Sequence, residues 1–108
     1  MYLMFDELAE QLHETAVAKG FWPEDVDDIF ITKQLMMIVS EAVEVMEAIR
    51  KDKGEDQIAD EMADILIRTL DLYAGLVEHG YTKVSLDYAL DKKANVNKDR
   101  PERHGVRF

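Results

Sequence analysis

An all-α fold, an antiparallel helical bundle completed by oligomerisation, is what this sequence predicts, and three observations carry the expectation. Apolar residues recur at helical spacing through most of the chain. Only two prolines occur, Pro23 and Pro101, and they bracket the most informative region, whose pattern is helical. No segment alternates polar and apolar residues as a half-buried strand does. The 108 residues fit one domain, 1–108. A chain of this size buries only about 60–70% of its unfolded surface, so its core is modest unless copies associate.

The first helix is expected from Phe5 to Lys19, with Leu8, Leu12 and Ala16 at i, i+4 and i+8 and Gly20 as the stop. Gly20 to Asp28 reads as a connector, because the position before Pro23 disfavours helix for Trp22. The second helix is expected from Ile29 or Thr32 to Lys51, on a stripe of Leu35, Ile38, Ala42, Val45 and Ile49. Leu35 to Val39 is apolar all round, and such a helix must be covered on several sides. With so few helices in the chain, a partner subunit is the expected cover. Arg50, Lys51 and Gly54 mark its end.

The third helix is expected from Glu55 or Asp56, acids that suit a helix N-terminus, to Gly80. Its stripe is Ile58, Met62, Ile65, Thr69, Leu72 and Leu76. A fourth runs from about Ser85 to Asn97, and a basic tail over 98–108 is expected to leave the helical body.

Composition excludes several functions. There are no cysteines, hence no disulfide, thiolate metal site or cysteine nucleophile. With 23 Asp+Glu against 13 Lys+Arg, a nucleic-acid polymer is not an expected partner. Nucleotides stay open, since a metal ion can bridge acidic side chains to phosphate. No apolar run approaches a membrane span, and Asp6 and Glu7 interrupt the apolar start, so no leader is read and the cytoplasm is the expected location. Charge is uneven: residues 92–108 carry a balance of +4 and the remainder -14.

The acids have a pattern. Glu41 and Glu44 are three apart on the second helix, as are Glu61 and Asp64 on the third, so each pair shares a face. Counted from Lys53 at the turn, Glu44 and Glu61 lie nine and eight residues away, and Glu41 and Asp64 twelve and eleven. In an antiparallel hairpin Glu44 should therefore face Glu61 and Glu41 should face Asp64, roughly 12–18 Å from the turn. Four carboxylates this close need a neutralising partner, protons or a divalent cation. Oxygen ligands suit Mg²⁺, Mn²⁺ or Ca²⁺. Glu47 is either a further ligand or a solvated acid, and Asp60 and Asp71 read as surface acids. Lys93, Asn97 and Arg100 follow i, i+4, i+7 and would share a helix face if the fourth helix persists as far as Arg100, a set suited to phosphate and sugar.

These residues resemble a known family. Glu41-Ala-Val-Glu44 followed by Glu61-Met-Ala-Asp64 is similar to the ExxE…ExxD signature of MazG-type nucleotide pyrophosphohydrolases, the all-α NTP pyrophosphatases. The words Ile38 to Glu44, Glu47 to Arg50 and Asp60 to Ile67 are similar too, as are Lys93-x3-Asn97-x2-Arg100-Pro101, His104-Gly105 and Gly20-Phe-Trp22. The resemblance implies Mg²⁺-dependent cleavage of nucleoside triphosphates between the α and β phosphates, with Mg²⁺ held by Glu41, Glu44, Glu61 and Asp64. It implies homodimers or homotetramers in which subunits complete each other's bundles. Related enzymes acting on dUTP or phosphoribosyl-ATP are the near alternative, and a non-catalytic helical dimer binding a nucleotide or partner is the distant one.

Within that frame Glu44 or Glu41 is the candidate to take a proton from attacking water. Lys93 and Arg100 would offset charge on the β and γ phosphates, and Asn97 would bond phosphate or sugar. Trp22 is expected either to stack on the base or to cap the core or a subunit interface. Lys33 and Gln34 are expected at the base or phosphates, or at a surface or interface. Arg68, four residues after Asp64, is expected to pair with it. Glu10 and His13 form a single ExxH, too little for a di-iron bundle. His104 would close over the site or stay apart from it.

Overall fold

The computed structural model describes residues 4–100, and among them it has four helices and no strand. They are α1 (Phe5–Ala18), α2 (Asp28–Arg50), α3 (Glu55–Glu78) and α4 (Leu86–Asp99). Pro101, Arg103, His104, Gly105 and Arg107 lie outside the described residues. α4 continues two residues past the expected end, so Lys98 and Asp99 are helical. α2 starts earlier than expected because the Asp27 carboxylate caps it, accepting from the Phe30 amide at 2.8 Å.

The end of α2 differs from its expected form. Asp52, not Gly54, takes the left-handed position after the helix, at φ 52°. The Lys53 amide then closes on the Ala48 carbonyl at 2.9 Å. Gly54, at φ 95°, instead begins α3. Asp tolerates the left-handed region better than most residues, which frees the glycine for the next boundary.

α3 is the central element: it packs against α2 on one side and α1 on the other. The core joins Ala16 of α1, Trp22 and Val26 of the connector, Phe30, Ile31 and Ile38 of α2, and Leu72 and Leu76 of α3. The buried stripe of α2 is Ile31, Gln34, Ile38, Glu41, Val45 and Ala48, each buried or half-buried. This corrects the expected stripe, because Leu35 and Ile49 are 49% and 60% exposed. The expected set straddled two apolar faces. The second face, with Met36, Val39, Val43 and Met46, stays exposed in the single chain. On α3, Ile58, Ile65, Leu72 and Leu76 turn inward as expected, whereas Met62 and Thr69 are exposed.

α4 packs against α1, and the two helices cap each other. Met4 offers α1 no side-chain cap. Asp87 of α4 supplies it, accepting from the amides of Phe5 at 2.7 Å and Asp6 at 3.3 Å. In return Asp6 accepts from the Ser85 hydroxyl at 2.5 Å and from the amides of Leu86 and Asp87 at 2.8 and 3.3 Å. Partial burial pushes the Asp6 carboxyl up, but the donors from Ser85, Leu86 and Asp87 outweigh it and hold the group below its ordinary 3.8. A depressed folded value means the contribution is complete above the unfolded pKa and is lost as pH falls through the folded one. Acidification below about pH 4 is therefore expected to loosen α4 from α1, read as faster amide exchange in α4. Asp6→Ala should cost about 1–2 kcal/mol in urea unfolding and remove that pH dependence.

Candidate metal centre

The short connection 51–54 folds α2 back along α3, so residues at matched distances from it come together. Glu41 lies on the inner face of α2, between Ile38 and Val45, and is half-buried. Glu61 is half-buried on α3, and Asp64, one turn on, is exposed. One carboxylate oxygen from each of Glu41, Glu61 and Asp64 lies within 4.8 Å of the other two. Glu41 thus meets both acids of α3, where the register had paired it with Asp64 and had paired Glu44 with Glu61. Glu44 is exposed and outside this group. At 3.6 residues per turn its side chain points about 60° away from that of Glu41.

The cluster has its own counter-charge. Arg68 Nε donates to Glu41 Oε1 at 2.8 Å across the hairpin. Arg68 was expected to pair with Asp64; the inward-facing Glu41 is its partner instead. Gln57 Nε2 donates to Glu61 Oε1 at 2.6 Å from one turn earlier. Glu47 stands apart. It accepts from Arg50 at 2.9 and 3.2 Å and pairs with Lys51 at 3.2 Å. Arg50 first and Lys51 second hold its carboxyl below the usual range, so its charge is matched by the cations at the end of α2.

A pocket of about 360 Å³ opens beside Glu41 and Asp64, where the C-terminal half of α1 crosses the hairpin. Arg68, Lys19, Thr15 and Phe21 also line it. Lys19 and Phe21 were not singled out from the sequence. They flank the left-handed Gly20, where the Phe21 amide bonds the Ala16 carbonyl at 3.0 Å and turns its ring outward, 67% exposed. The helix stop at Gly20 was the available signal. A larger pocket of about 530 Å³ lies at the other end of α1, around Glu10, Glu14 and Lys83, and does not include the clustered acids.

Trp22 sits in the core, not in the pocket. It is 9% exposed, its indole N–H donates to Asp71 at 3.0 and 3.2 Å, and its ring stacks on His79 at 5.9 Å. The core-cap alternative describes these surroundings, and they leave no open face for a base. Asp71, read as a surface acid, is half-buried for the same reason: it accepts from Trp22 and faces His13 Nδ1 at 2.8 Å. Lys33 is exposed near the start of α2, with Gln34 half-buried beside it. Lys93, Asn97 and Arg100 are exposed on or just after α4, and none of them lines the pocket at Glu41.

The donor set fits a hard divalent cation. It offers oxygen ligands only, and the one arginine offsets one of three negative charges. Among the described residues no helix is long and apolar enough to cross a membrane.

The model of the MazG nucleotide pyrophosphohydrolase domain matches residues 31–101, well over half of the chain and all of α2 beyond Phe30, α3 and α4. No curated protein and no solved structure matches the chain.

Proposed function

Because this chain belongs to the MazG nucleotide pyrophosphohydrolase family, we propose that it hydrolyses nucleoside or deoxynucleoside triphosphates to the monophosphate and pyrophosphate, with Mg²⁺ or Mn²⁺ as cofactor. The observation that carries this reading is the convergence of Glu41, Glu61 and Asp64 beside a pocket that also offers Lys19 and Arg68. Acids alone would repel a polyphosphate; acids that hold a cation, next to two basic side chains, accept one. A divalent ion there supplies positive charge to the phosphate oxygens and acidifies water.

The chain's own groups divide the remaining work. Glu41, Glu61 and Asp64 are the ligands, and Glu44 joins them by a side-chain rotation or takes the proton from water. Lys19 and Arg68 offset phosphate charge from the pocket wall. The exposed ring of Phe21 is the surface on which a base stacks. Lys93, Asn97 and Arg100 contact phosphate and sugar once copies associate. The exposed apolar face of α2 supports self-association, and so does a Cα radius of gyration of 16.3 Å, against about 13 Å for a compact chain of this length. The substrates are those of a cytoplasmic nucleotide pool, surplus or non-standard nucleotides among them.

The test is pyrophosphate release with Mg²⁺ across ribo-, deoxy- and modified triphosphates, with dUTP and phosphoribosyl-ATP included. Turnover of at least one triphosphate, with pyrophosphate and not orthophosphate as product, is the expected result. Binding without turnover of any would leave a nucleotide-binding module.

A further inference from the structure

Arg68 occupies an unusual place. Among the described residues it is the one basic side chain that both pairs with a residue of the carboxylate cluster and lines the pocket beside it. The pair is neither a loose surface contact nor sealed in the core: Glu41 is 15% and Arg68 37% exposed at the side chain. One oxygen each of Glu41, Glu61 and Asp64 already lies within 4.8 Å of the other two, so a divalent cation held among them would sit against the same carboxylate that Arg68 grips. Such a cation would remove the reason for the pair, because it would take over the charge that Arg68 offsets.

We propose that Arg68 is an exchangeable counter-ion: it neutralises Glu41 in the metal-free protein, and on metal binding it is released into the pocket to meet the phosphates of the substrate. This rests on the pyrophosphohydrolase reading for its substrate but concerns a separate residue and a separate measurement. The exchange couples the two ligands. Metal alone must displace a bound cationic side chain and binds less tightly than the carboxylates permit. Metal with nucleotide recovers that cost, since the freed guanidinium finds new oxygens. By linkage each ligand then strengthens the other. The consequence is that the site favours the metal–nucleotide pair over the metal alone.

The experiment is Mn²⁺ titration of the nucleotide-free protein, reading free Mn²⁺ by paramagnetic resonance, for wild type, Arg68→Gln, Arg68→Met and Arg68→Lys, with circular dichroism to check helicity. Arg68→Gln should bind Mn²⁺ about fivefold more tightly than wild type, the scale of a partly exposed ion pair. Arg68→Met keeps the apolar stem and should do the same if the glutamine variant is poorly folded, whereas Arg68→Lys should stay near wild type. With a non-hydrolysable triphosphate analogue present, the gain should vanish and nucleotide affinity should fall in the Gln and Met variants. Equal or weaker Mn²⁺ binding by a folded Gln or Met variant overturns the exchange. No saturable Mn²⁺ binding by any of the four proteins overturns the exchange and the metal cradle together. Failure of the enzymatic reading looks different: Mn²⁺ binds as described but wild type releases no pyrophosphate.

Discussion

Glu41→Gln is expected to abolish Mg²⁺-dependent pyrophosphate release, a loss of at least about a hundredfold, while helicity stays unchanged. The size follows from position. Glu41 is the only member of the cluster contributed by α2, and its oxygen lies within reach of both acids of α3. The amide keeps the shape and removes the charge, so packing between Ile38 and Val45 survives. It also leaves Arg68 without its anionic partner, which costs a folded but half-exposed pair about 1 kcal/mol or less. Glu61→Gln should show a comparable loss of activity. Glu44→Gln is the informative contrast, because its carboxylate is exposed and outside the cluster. If Glu44 only flanks the metal, kcat falls modestly; if it takes the proton, kcat collapses while Mn²⁺ affinity holds. Full turnover by Glu41→Gln would remove the cluster from the mechanism.

Gly75→Ala should destabilise the fold, because the added methyl has no room. Gly75 is buried where α3 passes under Trp22. An added Cβ would overlap Trp22 Cη2 and lie 2.6 and 2.7 Å from Cζ2 and Cζ3. The indole has little freedom to retreat. Asp71 holds its N–H, His79 covers a face, and His13 meets it edge-on with ring centroids 4.6 Å apart. Overpacking of this kind costs about 1–3 kcal/mol, even though alanine is the better helix former. For a domain of this size that lowers Tm by roughly 4–8 °C per kcal/mol. Thermal and urea unfolding would check it. Trp22→Leu combined with Gly75→Ala should recover part of the loss, since a smaller side chain makes room for the methyl. A Gly75→Ala protein as stable as wild type would mean that Trp22 is not seated on α3 as described.

Much of this protein is legible in its residue order. The four helices are local matters: apolar periodicity, Gly20, Gly80 and the acids and prolines at the boundaries set them, and each acts within a few residues. The resemblance of Glu41 to Asp64 to a family signature rests on local spacing too, and the family match over residues 31–101 bears it out. The hairpin register brought the right two helices together because arithmetic from a short turn suffices for that.

Other features needed the third dimension. Spacing could not say which of two apolar stripes on α2 turns inward, since Leu35, Ile38 and Val45 satisfy helical periodicity on overlapping faces. Docking against α3 decided it, and with it that Glu41 faces in and Glu44 out. Arg68 was placed beside Asp64 by sequence distance, but a long side chain pairs with the acid its rotamer reaches, and that acid lies 27 residues away. Trp22 could equally be a platform or a plug until the gap above Gly75 filled it. Asp6 and Asp87, 81 positions apart, carried no sign of reciprocal capping. Local sequence determined the helices, their ends and the kinds of groups available for phosphate chemistry, because those depend on backbone preferences over one or two turns. Only the tertiary structure decided which carboxylates converge, which cation answers them and which aromatic ring faces the pocket, because a rotation of some 60° about a helix axis separates an acid inside the cluster from one outside it.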